Sequence, residues 1–210
     1  MRVLTKLDKP QVLRDNETRW TARYVAATGA GDPKPHEKWG HSEIKRVLRD
    51  EVKGKCAYCE GYVDDISYPH VEHIVPKTVK PELAHRWENL TSACGRCNIA
   101  KGDFYDAADG LLNPYEDPLD AHLVFLGSLI SWDLGSVRGE LTVRRLRLNR
   151  LDLANARANR LDEIREVLER WHDASDPLRG VLADGLRLDA REGEFSRSVL
   201  AYLSFFEFPV

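Results

Sequence analysis

The sequence predicts an α+β fold, mainly helical, in which a small β-β-α unit tied by cysteine knuckles is surrounded by helices. Three observations carry this. Two C-x-x-C pairs, Cys56/Cys59 and Cys94/Cys97, bracket residues 60–93. A short β-branched run around Val71 lies between them. From about residue 150 onward, apolar residues recur at spacings of three and four. The 210 residues, 42% hydrophobic and 31% charged, supply enough apolar material for one compact domain or a small module with helical additions. The sequence has no run of about 18 uncharged apolar residues that could span a bilayer. Its start, MRVLTKLDKPQ, lacks the apolar stretch of a secretory signal. No membrane association is therefore expected, and the cytoplasm is the expected location.

Taken in order, residues 1–52 read as an N-terminal extension and helix. Val3 and Leu4 suggest a short extended start, and a polar stretch follows that breaks at the glycines and prolines of residues 29–35. Ser42 then stands as a capping residue before Ile44, Val47, Leu48 and Val52, which share helical spacing. Residues 53–106 form the predicted β-β-α unit. Residues 71–75 alternate β-branched with polar side chains and stop at Pro76, as a short strand does. Residues 89–92 read as a loop, and residues 93–104 as a helix carrying the second cysteine pair, Asn98 and Lys101.

Residues 107–210 read as a mainly helical support or partner-binding region. Residues 123–125 and 129–132 flank Gly127-Ser128 as a hairpin. Residues 153–171 are the clearest helix, with Leu161, Ile164, Leu168 and Trp171 on one face. Asp176-Pro177 and Gly193 separate two further apolar segments, and in the last of these Leu200, Leu203 and Phe206 are expected to face one side. The aromatic cluster Tyr202, Phe205, Phe206 and Phe208 suits a core or a partner interface.

The chemistry concentrates between the cysteine pairs. In a reducing compartment two knuckles of this spacing supply four thiolates to a structural zinc, closed to further chemistry. Cleaving a phosphodiester needs an activated water and stabilisation of charge on the phosphoryl and departing oxygens. An unperturbed imidazole titrates close to working pH, so His73 is the candidate to take the proton. Glu72 and Asn98 offer hard oxygen ligands suited to magnesium or manganese. Because neighbouring strand residues point to opposite faces, Glu72 and His73 converge only if the strand end is distorted. Asn89 can accept a hydrogen bond from the imidazole and fix its tautomer. Lys101, one turn past Asn98, and Arg96 are candidate phosphate contacts.

The net charge of −3 gives no bulk attraction for nucleic acid, so binding must come from a local patch. The most basic stretch holds Arg138, Arg144, Arg145, Arg147, Arg150, Arg157 and Arg160 against Glu140 and Asp152. Arg144, Arg145 and Arg147 are the candidate substrate contacts there, through the planar guanidinium fork. The alternative is a solvated helix face paired with acids such as Asp162 and Glu166. Tyr58 and Trp87 read as packing residues.

In the order and spacing of these pieces, residues 52–104 resemble the HNH endonuclease family, in the subgroup whose ββα-metal (His-Me finger) core is braced by a four-cysteine zinc site. The resemblance implies His73 as general base, Asn89 as the residue that orients it, Glu72 as the acidic metal ligand and Asn98 at the third position. Many members have aspartate in place of Glu72 and histidine in place of Asn98. The flanks Leu112-Asn-Pro-Tyr115-Glu-Asp-Pro118 and Thr142-Val-x-x-Leu146-x-Leu-Asn149-Arg150 are similar to the tails of HNH proteins of Septu-type and retron-linked anti-phage systems. The resemblance thus implies a metal-dependent nuclease in anti-phage defence, with DNA as the expected nucleic acid and an ABC-type ATPase as partner. Two alternatives stay open: a non-catalytic zinc-stabilised module that binds nucleic acid or protein, and a standalone restriction-type nuclease.

Overall fold

The computed structural model describes residues 1–32, 36–63 and 69–209. Part of the expected break, Pro33 to Pro35, lies outside them. The chain is α+β and mainly helical, with two antiparallel two-stranded sheets among the described residues. No helix among the described residues is long and apolar enough to cross a membrane.

Helix α1 (Gln11–Gly29) occupies the stretch that reads in the sequence only as polar. Only Leu13, Trp20 and Tyr24 of this helix are buried. Their spacing of seven and four makes a stripe too narrow to stand out from the polar background. Helix α2 (Ser42–Glu51) forms as expected, but its cap is shifted by one residue. The His41 ring accepts from the Glu43 amide, and Ser42 is already helical. Leu13 and Trp20 of α1 pack with Ile44, Leu48, Trp87 and Leu90 in one core cluster. Each large aliphatic side chain fully buried there contributes roughly 1.5–3 kcal/mol.

Strand β1 (Pro69–His73) starts and stops two residues earlier than expected. It pairs with β2 (Leu90–Cys94), which corrects the loop expected at residues 89–92. The register sets His73 opposite Leu90, and Glu72 opposite Thr91. All five residues of β2 are buried, so no polar alternation marks it as a strand. Helix α3 (Gly95–Lys101) follows directly and is shorter than the helix expected over residues 93–104. Cys94 caps it, its sulfur accepting from the Cys97 amide.

The expected hairpin forms as β3 (Leu123–Leu126) and β4 (Leu129–Trp132), turning at Gly127 with φ +60°. After α4 (Val137–Arg145), the helices α5 (Leu151–Asp173), α6 (Asp176–Glu192) and α7 (Ser196–Phe205) make a three-helix layer. Its core includes Leu161, Ile164, Leu168, Leu186, Val199 and Leu203. In α7 Val199 and Leu203 are buried and Leu200 packs against the same core partly buried, whereas Phe206, expected on that side, stays half exposed. The four cysteines lie in a further core cluster shared with Leu123, Ile130, Leu146, Leu153 and Phe195. The second half of the chain therefore packs directly on the cysteine knuckles.

Candidate active site and metal centre

Cys56 and Cys59 lie on a turn before β1, Cys94 ends β2, and Cys97 sits in the first turn of α3. Pairing of β1 with β2 thus brings the two knuckles together. All four sulfurs are buried and lie within 4.8 Å of one another. Cys59 and Cys94 are 4.0 Å apart, twice the length of a disulfide, and the thiols are free. Four sulfurs around a zinc at about 2.3 Å would be about 3.8 Å apart, so the cluster fits a closed tetrahedral site. Arg150 donates to the Cys97 sulfur at 3.7 Å, placing a cation from the second half beside the thiolate cluster.

The open side of the same β-β-α unit carries the second site. A pocket of about 110 Å³ is lined by Glu72, His73, Lys77, Asn98, Lys101 and Asp103, among others. Glu72 and His73 share it although they are sequence neighbours. The strand ends at His73 and the chain bends at Ile74 and Val75, which supplies the distortion their convergence requires. Asn98 arrives from α3, the helix that the Cys94 cap starts in the right direction.

His73 is 6% exposed, and its Nε2 donates to the Ala84 carbonyl at 2.9 Å. That bond leaves Nδ1 as the nitrogen with a free lone pair. Burial depresses the imidazole pKa to about 4, against the pull of the Ala84 carbonyl, so the ring is neutral at pH 7. The tautomer is therefore set by a backbone carbonyl and not by Asn89. Asn89 instead braces the bend: its Oδ1 accepts from the Val75 amide at 2.8 Å. Its Nδ2 donates to the carbonyls of Val75 and Leu83, at 2.9 and 3.2 Å. It holds the segment between the two strands, and through that segment Ala84.

Glu72 is 4% exposed, and burial raises its pKa against the pull of Lys101. The Lys101 ammonium lies 2.7 Å from its Oε1. At that distance the two charges form a close ion pair, and a carboxylate keeps further lone pairs for another partner. Asn98 donates to His70 Nδ1 at 3.0 Å, leaving its amide oxygen unengaged in that bond. His70, on β1, thus orients Asn98. A carboxylate with spare lone pairs and an amide oxygen on one pocket suit a hard divalent cation.

Lys101 does not stand out toward a phosphate. It is 3% exposed and also donates to the His73 carbonyl at 2.7 Å. Arg96 is exposed and pairs with Asp152 at 2.6 Å. The arginine stretch divides. Arg144, Arg145 and Arg147 are exposed. Arg144 pairs with Glu140, and Arg145 lies over Phe104 and donates to the Lys101 carbonyl. The other four are structural: Arg138 forks onto Asp117, Arg150 meets Cys97, Arg160 reaches Glu163 and Asp189, and Arg157 is fully buried. Asp162 and Glu166 pair with Arg165 and Arg170 instead.

Trp39 and Lys77 complete the surroundings and carried no role in the sequence. The Trp39 ring meets the His73 imidazole edge to face at 4.9 Å and 87°. Lys77 lies over the same indole at 5.3 Å. No spacing rule links Trp39, in the approach to α2, with a histidine on β1. Tyr58 and Trp87 are buried as expected, and Trp87 Nε1 donates to the Leu7 carbonyl.

The HNH endonuclease family model matches residues 56–104, the span that contains both knuckles and the lining pocket. Residues 56–104 belong to the HNH endonuclease family. Beyond this HNH domain, the chain is similar to the Septu protein PtuB of Bacillus thuringiensis, 33% identical over 151 residues. That match covers 71% of this chain and 55% of the relative, so the chain spans about half of its length. It is also similar to the Septu protein PtuB of Bacillus mycoides (strain KBAB4), 27% identical over 205 residues, covering 83% of this chain and 69% of the relative. Both matches run well outside the HNH domain, and so include helices that no family motif describes.

Proposed function

We propose that this chain is a metal-dependent nuclease that hydrolyses nucleic-acid phosphodiester bonds, with DNA as substrate, in anti-phage defence. The observation that carries the reading is the convergence of Glu72, His73 and Asn98 on one pocket, with the His73 tautomer already set by the Ala84 carbonyl. In this reading residues 53–106 carry the chemistry, and residues 1–52 and 107–210 support it and meet partners. Cys56, Cys59, Cys94 and Cys97 hold a structural zinc. Glu72 and Asn98 hold magnesium or manganese, which would neutralise charge on the phosphoryl and departing oxygens.

His73 takes the proton of the attacking water at Nδ1. Burial keeps the ring unprotonated at neutral pH, the form a general base requires. Asn89 keeps the Ala84 carbonyl in place, and so fixes which nitrogen is free. Arg144, Arg145 and Arg147 form an exposed cationic surface that meets the backbone without reading sequence. The similarity to Septu proteins supports the defence role, and the resemblance of the flanks supports an ABC-type ATPase as partner in the cytoplasm.

The test is cleavage of plasmid, single-stranded DNA and structured RNA by the purified chain, with magnesium, manganese or neither, beside His73→Ala. Cutting of DNA that needs the added ion and is lost in the variant, with zinc content and circular dichroism unchanged, is the expected result. Full activity in His73→Ala would remove the assigned base. Ion-independent binding without cleavage, also in the presence of an ATPase partner, would instead support a non-catalytic binding module.

A further inference from the structure

We propose that Lys101 is the resident cation of the pocket: its ammonium holds the charge position beside Glu72 in the absence of a divalent ion and weakens the hold on that ion when it arrives. The inference rests on reading Glu72 and Asn98 as the divalent ligands, and adds a residue that sets how tightly they work.

A lone buried carboxylate is costly, as is a lone buried ammonium. The side chains of Lys101 and Glu72 are 4% and 5% exposed and face each other at 2.7 Å. The same ammonium donates to the His73 carbonyl at 2.7 Å, so one group neutralises the proposed metal ligand and tethers the backbone of the proposed base. Its own position is fixed from behind. Lys101 is the last residue of α3, Gly102 closes the helix with φ +54°, and Arg145 donates to the Lys101 carbonyl. The ammonium is therefore held at Glu72 by the protein's own backbone.

A dication on Glu72 then sits within a few ångströms of a fixed unit charge of the same sign. Between side chains as buried as Lys101 and Glu72 that repulsion is poorly screened. Removing the ammonium while keeping the stem should tighten divalent binding.

Calorimetric titration of manganese into the zinc-loaded full chain tests this, with Lys101→Met, Glu72→Gln and the double variant. Lys101→Met should bind manganese about tenfold more tightly than the unaltered chain. The gain should vanish in the double variant. In manganese-free buffer Lys101→Met should melt at lower temperature than the unaltered chain, and manganese should raise its melting point more. Lys101→Gln, which can still donate to the His73 carbonyl without a charge, should show the same tightening and decides the matter if Lys101→Met does not fold. Unchanged or weaker binding in folded Lys101 variants, with binding lost in Glu72→Gln, would sink the inference alone. Equal binding by the unaltered chain and Glu72→Gln would overturn Glu72 as a ligand, and the inference with it. Failure of both Lys101 variants to fold even with manganese would make the pair purely structural and overturn the inference as well.

Discussion

At His73, three neighbours from three parts of the chain decide what the imidazole can do. The Ala84 carbonyl takes the Nε2 proton, Trp39 walls one edge, and Lys101 holds the backbone carbonyl. Asn89 acts one step removed, through the bend that carries Val75 and the turn that carries Ala84. Asn89→Ala should therefore lower both stability and activity. Three hydrogen-bonding backbone groups would lose their partner, costing about 2–4 kcal/mol after partial rehydration. Urea unfolding should show that loss, and a variant that lost cleavage at unchanged stability would instead favour direct contact with the ring. The residue types at positions 72, 73, 89 and 98 were legible in the sequence because motif spacing preserves them. The partner of each was not, because a hydrogen-bond donor has several acceptors in reach of the linear pattern and packing selects one.

At the scale of elements, legibility followed the width of the apolar stripe. Helices α2 and α5 bury a side chain nearly every turn and were readable, whereas α1 buries three residues in nineteen and was not. Strand β2 carries no strand signal in the sequence, since burial on both faces erases the alternation that identifies one. Arg157 belongs by sequence to the most basic stretch, yet it lies on α5's inward face among leucines. Its guanidinium donates to the carbonyls of Ser128, in the β3–β4 turn, and Leu148, just before α5. It clamps hairpin to helix. Burial lowers its pKa to about 10, still charged at pH 7. Arg157→Ala should cost about 3 kcal/mol, from the cavity and the two carbonyls left unpaired. Denaturant unfolding measures it, whereas Arg144→Ala, on an exposed side chain paired within its own helix, should shift stability by less than about 0.5 kcal/mol.

For the whole molecule, the cysteine cluster lies where three segments of the chain meet. Its sulfurs share a core with the hairpin, the start of α5 and Phe195. A metal held there is a folding constraint on more than the HNH domain. Chelation should therefore unfold the central core, since structural zinc sites contribute on the order of 10 kcal/mol. Loss of near-ultraviolet circular dichroism in step with zinc release to a colorimetric chelator is the expected signature. Retention of that signal after complete release would show that packing alone holds the core.

Sequence by itself determined the pieces whose meaning is local: two C-x-x-C knuckles, the Glu72-His73 pair, Asn98 after the last cysteine, and the long apolar stripe of α5. These are properties of spacing, and spacing survives in a linear text. Only the tertiary structure decided that Ala84 rather than Asn89 meets the imidazole, that Lys101 turns inward to Glu72, and that four of seven arginines serve the fold. Those outcomes depend on which distant groups burial brings within about 3 Å of each other, where an unmet polar group costs enough to choose its partner.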